Sequence, residues 1–175
     1  ARRTEELEIP RPSLFYTEDY KEKTNIEEVK LSKNSMEPFY VEKDYLGRKN
    51  ELNFIKYLEA KKSVEWWYKN GNFGSEHFSI AYYDNEAKKE FLFYPDWIVK
   101  LKDKFLILDT KQGMTVDSRD TKYKAEALQD WLNDRKDKIV GGIIANVSNV
   151  WRVNNKKEYN YNPNFKDWDY LDELF

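Results

Sequence analysis

The sequence predicts an α/β domain, a mixed β-sheet flanked by helices with its elements in the order α-β-β-β-α-β. Three observations predict it. Apolar residues recur at helical spacing in two separate stretches, 50–62 and 121–135. Between and after them lie short runs rich in Val, Ile, Phe, Trp and Tyr, bounded by turn residues in the manner of strands. Strands interleaved with helices assemble as a sheet that the helices cover.

The first helix is read in "NELNFIKYLEAKK", where Leu52, Ile55 and Leu58 recur every third residue with Phe54 beside them. "SVEWWYKNG" follows as a strand closed by the turn pair Asn70-Gly71, and "EHFSIAYYDNEA" repeats the scheme. "YPDWIVKL" and "FLILDTK" supply two further strands separated by Lys-Asp-Lys. After a loop around "GMTVDSRD", Ala125, Leu128, Trp131, Leu132 and Arg135 mark one stripe of a second helix. "KIVGGIIANVS" reads as a buried strand and "VWRVN" as another. Residues 1–47 are polar, with prolines at 10, 12 and 38, and read as an N-terminal arm with an edge strand. Residues 48–155 form the core, and 156–175 a turn-rich segment ending in a short acidic helix.

A chain of 175 residues fits one domain with an appended arm. Charged residues make up 35% and aromatics 17%, which describes an ion-rich surface over a core of Tyr, Phe and Trp. The apolar runs fall far short of the roughly 20 residues a membrane helix needs, so no membrane partner is expected. Cysteine is absent, which removes thiolate metal sites and fits a cytoplasmic location. A net charge of −2 leaves no global electrostatic footprint for nucleic acid, so contacts to phosphate must be local. The first residue, Ala1, reads as the start of a piece of a longer protein.

The stretch "FYPDWIVKLKDKFLILDTKQG" places Asp109 and Lys111 at the end of an otherwise apolar segment. A hairpin with Asp103 and Lys104 at its tip puts Lys102 opposite Phe105, Asp96 opposite Lys111 and Ile98 opposite Asp109. Because side chains alternate along a strand, Asp96, Asp109 and Lys111 then share one face. Opposed Cβ atoms lie about 4.5–5.5 Å apart, so two carboxylates and an ammonium converge. Such oxygens suit a hard divalent cation, Mg2+ or Mn2+, which lowers the pKa of a bound water and offsets charge on a phosphate under attack. An Asp-x-Lys triplet standing alone is more often an edge salt bridge. Here Pro95-Asp96 precedes it by one hairpin and helices flank the sheet.

Those residues resemble the core of the PD-(D/E)XK nucleases in an Asp-x-Lys variant. "NELNFIKYLE", "VEWWYKNG", "HFSIAYYD" and "KAEALQDWLN" around them resemble the nuclease domain at the C-terminal end of type III restriction subunits and related DEAD/DEAH-type helicases. The resemblance covers about residues 48–152 and implies a restriction-endonuclease-like core. It implies that Asp96 and Asp109 are metal ligands, Lys111 the motif lysine and Glu51 the additional acid, with Gln112 at a position where relatives carry a polar group. Asp109 stands where Glu is commoner, which shortens the ligand arm by one methylene. No G-x-x-x-x-G-K-[ST] loop occurs, so any helicase motor lies outside this chain.

Glu51 is open to a second explanation, because an acid in a first helical turn is favoured by the helix dipole. Glu65 reads as a solvent-facing strand residue in preference to a further carboxylate. His77 reads as a hydrogen-bonded surface or core residue in preference to a general base. Lys124 either snorkels or contacts phosphate, with Lys122 and Arg119 near enough to join it. The expectation is a metal-dependent endonuclease domain acting on DNA, with RNA also open. Its partner is a helicase or ATPase portion of the same larger protein, or a modification subunit. The alternative is a non-cleaving nucleic-acid-binding or docking module on the same fold.

Overall fold

The computed structural model describes residues 48–175 together with 26–28, 32–33 and 40–42. In chain order its elements are β1 (Ile26–Glu28), β2 (Tyr40–Glu42), α1 (Arg48–Ala60), β3 (Val64–Lys69), β4 (Ile80–Asp84), β5 (Lys89–Phe93), β6 (Trp97–Leu101) and β7 (Phe105–Thr110). A 3-10 turn (Gly113–Asp117), α2 (Arg119–Leu132), β8 (Ile139–Val147), β9 (Val150–Asn154), β10 (Asp169–Tyr170) and a final 3-10 turn (Leu171–Leu174) follow. Among the described residues no helix is long and apolar enough to cross a membrane.

The centre is a six-stranded mixed sheet in the order β10-β9-β8-β7-β6-β3. All its pairings are antiparallel except β7 with β8, which run parallel and are joined by the crossover through α2. Counting only the strands of this sheet, the order is α1-β3-β6-β7-α2-β8, as the sequence predicts, with β9 and β10 added. The reading of residues 1–25 as an arm lies outside the described residues, whereas β1 and β2 pair as a separate two-stranded ribbon.

Each face of the sheet buries one helix. On one side Phe54, Ile55 and Leu58 of α1 pack on Trp67, Trp97, Val99, Leu106 and Leu108. On the other, Ala125, Leu128 and Leu132 of α2 pack on Ile107, Ile139, Ile143 and Ala145. The alternation of Leu106, Ile107 and Leu108 between the two cores is the period of two that a sheet covered on both faces requires. Helix α2 begins where Ser118 accepts a hydrogen bond from the Thr121 amide at 3.1 Å, a side-chain cap on an orphan donor. Gln129 Nε2 then donates to the Gly141 carbonyl at 3.0 Å, pinning the helix to β8.

Two sequence expectations require correction. The segment from Ile80 to Leu101 holds three strands, and β4 and β5 pair with each other as a hairpin outside the central sheet. Tyr94, Pro95 and Asp96 separate β5 from β6, because proline has no amide proton to give a ladder. The β6–β7 hairpin also turns one residue earlier than expected. Leu101 N donates to Lys104 O at 2.8 Å, Lys100 stands opposite Phe105, and Lys102-Asp103 form the tip. The pairing moves by two residues, which preserves the face of every side chain.

The outer edge of β3 is met by main chain. Trp67 N donates to the Lys33 carbonyl at 2.9 Å, and the Glu59 carboxylate accepts from Ser32 Oγ at 2.7 Å and from Lys33 N at 3.2 Å.

Candidate active site

The site forms where β3 ends and β6 begins. Because these strands are antiparallel, the last residue of one lies beside the first of the other, and Lys69 pairs with Trp97. Asn70 then holds the corner that carries Asp96. Its side-chain amide donates to the carbonyls of Phe78 and Pro95, both at 2.8 Å, and its oxygen accepts from Phe78 N at 3.2 Å. Its own backbone N–H donates to Asp96 O at 2.7 Å. Gly71 follows because nothing larger fits: a Cβ there would lie 2.2 Å from the His77 ring. His77 is buried, its Nδ1 2.8 Å from Tyr68 Oη, and burial holds its pKa below the ordinary value. That matches the hydrogen-bonded core histidine expected of it.

The observed hairpin register puts Asp96 directly across from Asp109, where Lys111 was expected. The two carboxylates clasp each other's strands. Asp96 N donates to Asp109 Oδ1 at 3.2 Å, and Thr110 N donates to Asp96 Oδ2 at 3.0 Å. Trp97 Nε1 adds a bond to Thr110 Oγ1 at 2.8 Å. Lys111 is positioned by the parallel ladder, its amide donating to Ile144 O at 2.9 Å, and its ammonium lies 2.7 Å from Asp109 Oδ2.

A second lysine enters from the opposite side. Lys69 Nζ lies 3.3 Å from Asp96 Oδ1 and 3.9 Å from Glu51 Oε1, over the Trp97 ring at 5.3 Å from its centroid. Glu51 thus reaches the group from the first turn of α1, so its place at the helix start and its part in the cluster coexist. Sequence reasoning missed Lys69. The signal was present in "YKNG", since a residue just before a turn ends its strand, but using it requires knowing that β3 pairs with β6 and not with the next strand in sequence.

Burial and the Asp96 carboxylate push Asp109 up to about 7, against the pull of Lys111 and Lys69. Burial likewise raises Glu51, opposed by Lys69 and aided by Asp96. Both lysines show the reverse contest. Burial disfavours their charge, but Asp96 and Glu51 hold Lys69, and Asp109 holds Lys111, above the ordinary lysine value. Burial and the neighbouring Asp96 thus favour the neutral carboxyl of Asp109, while the Asp109 side chain favours the charged ammonium of Lys111.

The remaining expected residues are dispersed. Arg119 is held by Asp84 and Glu86 of the β4–β5 hairpin, and Lys122 by Glu126 at 2.6 Å; neither ion pair involves the acids of the site. Lys124 pairs with Asp120 at 2.7 Å, and Asp120 in turn feels the charge of Lys111. Gln112 is exposed, its amide and carbonyl engaged by the Thr115 hydroxyl. Glu65 is exposed at a β-bulge at the far end of β3, as its solvent-facing reading expects.

Among the described residues no three carboxylates or imidazoles close on one point as they stand. The donor set is nevertheless the oxygen chemistry that magnesium and manganese take. Asp109 Oδ2 is also a buried acceptor without a hydrogen-bond donor in proper geometry. The Lys69 ammonium lies within reach of both Asp96 and Glu51. Comparison of the chain with protein-family models, with curated proteins and with solved structures finds no match.

Proposed function

We propose that the chain is a divalent-cation-dependent nuclease domain of the PD-(D/E)XK kind, hydrolysing phosphodiesters of DNA as one part of a larger restriction or helicase-nuclease protein. The observation that carries this reading is the direct opposition of Asp96 and Asp109, with Lys111 on the outer oxygen of Asp109. A structural salt bridge needs one acid for one base. Here three carboxylates, Glu51, Asp96 and Asp109, gather on the two ammoniums of Lys69 and Lys111, an excess of acid of the kind found at functional sites.

Asp96, Asp109 and Glu51 would hold the Mg2+ or Mn2+ ion. When bound, such an ion polarises a phosphoryl oxygen and lowers the pKa of a coordinated water. Lys111, beside Asp109, is placed to orient that water and to donate to the phosphate. Lys124, linked through Asp120 to the field of Lys111, would meet the backbone near the scissile bond, and Gln112 the exposed rim.

The test is nicking of supercoiled plasmid by the 175-residue chain in Mg2+ or Mn2+, beside Asp109→Asn and Lys111→Met. Metal-dependent cleavage by the parent, lost in both variants, is the expected result. One observation favours the alternative of a non-cleaving module, namely that the Lys69 ammonium already balances the acids. Retarded migration of DNA without cleavage in either metal would select that reading.

A further inference from the structure

We infer that Lys69 is a built-in counter-cation that makes metal binding depend on DNA. This rests on the proposed nuclease reading of the same site.

The argument is one of position and charge. Lys69 Nζ lies within 3.3 Å of Asp96 and 3.9 Å of Glu51, so it stands between two of the three carboxylates that would take the ion. A cation cannot share that point with an ammonium, and the incoming ion must drive the Lys69 side chain from it. The lysine is not free to go far into solvent, since its stem is mostly buried and packed beside Trp97. Nor is it superfluous when displaced. With all three carboxylates ionised, as ligands of a cation must be, they and the ammoniums of Lys69 and Lys111 sum to −1. A divalent ion alone brings the group to +1, and one phosphodiester then brings it to zero. Ion and scissile phosphate together neutralise the site, while either one alone leaves it charged. In a partly desolvated cluster such an imbalance weakens binding of the first ligand and strengthens that of the second. Coupling of this kind is reciprocal: DNA tightens the metal by the factor by which metal tightens the DNA.

Replacing Lys69 by a neutral side chain of equal length changes the sum. The three acids with Lys111 alone carry −2, which a divalent ion by itself neutralises. Metal binding becomes tight without DNA, and the coupling disappears. This direction separates a counter-cation from a merely structural lysine, whose loss would loosen the acids and weaken the metal.

The experiment is titration calorimetry with Mn2+ on the parent and on Lys69→Met, each with and without a phosphorothioate duplex that resists cleavage. Lys69→Gln is a second neutral variant, carried in parallel against misfolding of the first. Expected are an Mn2+ affinity without duplex at least about tenfold tighter in the variants, and a duplex-induced tightening of about tenfold in the parent alone. Equal or weaker Mn2+ binding by both variants, or coupling that persists in them, overturns the role of Lys69 and leaves the nuclease reading standing. No Mn2+ binding by parent or variants, with or without duplex, overturns both.

Discussion

Asp96 and Asp109 face each other across the β6–β7 pair, and each accepts a hydrogen bond from the backbone of the other's strand segment. The exchange carries the hairpin ladder one residue beyond Trp97, up to Pro95, where a main-chain donor is missing, by using side chains in place of carbonyls. The acids are therefore structural members of the sheet as well as candidate ligands, and substitutions there act on both.

Asp109→Asn keeps an acceptor for the Asp96 amide and removes the buried charge. The wild-type carboxyl has a pKa of about 7 against an ordinary value of 3.8, so the folded chain retains a proton that the unfolded chain gives up. The stability tied to that proton is intact below 3.8 and is lost as pH rises to about 7. Urea unfolding from about pH 5 to about pH 8 should show a decline in the wild type that the variant largely lacks. A parallel decline in both proteins refutes the assignment.

Lys111→Met leaves the Asp109 carboxylate without its ion-pair partner at 2.7 Å. Removing one member of a buried pair strands the other, at a cost of about 2–3 kcal/mol near pH 8. Protonation of Asp109 relieves most of it in acid. Chemical denaturation at both pH values checks the difference, and a loss that is equal at the two contradicts the pairing.

Asn70→Ala deletes three side-chain hydrogen bonds that hold the Pro95-Asp96 corner. At about 1 kcal/mol each, the expected loss is about 2–3 kcal/mol. The freed corner lets Asp96 drift, so plasmid nicking should fall more than retention of DNA in a gel.

Gly71→Ala drives a methyl group into the His77 ring, which must leave Tyr68. The expected destabilisation is about 1–3 kcal/mol. His77→Ala makes room, so in a double-mutant cycle the second substitution should cost less in the Gly71→Ala background than alone. Additive losses would show that the ring is not the obstacle.

Much of this architecture was legible in the sequence, for physical reasons. The stripes of Leu52, Ile55 and Leu58 and of Ala125, Leu128 and Leu132 do face the sheet from opposite sides, because periodicity reports burial directly. The shared face of Asp96 and Asp109 survived an error in the turn, since moving a hairpin tip by one residue shifts pairing by two and leaves alternation intact. Three features were not legible. The strand Lys89–Phe93 was not read, because four of its five residues are exposed and it carries no alternation of buried and solvent-facing positions. Asp96 opposite Asp109 required the register itself. Lys69 depends on which strand pairs with which, a long-range fact that no local pattern carries. The ion pairs of Arg119 and Lys122 were not legible either: their acidic partners lie on a hairpin that the sequence reading placed in the main sheet, and on their own helix.

Among the described residues strand β3 has one neighbour in the sheet, and its other border is touched by the main chain of Lys33. A version of the chain trimmed to begin at α1 would contain every acid and both lysines of the site, yet it would strip the Trp67 amide of its acceptor and bare a strand border two residues from Lys69. Such a fragment invites self-association through that border. A trimmed chain that elutes as a single monomeric species would show that this border needs no cover.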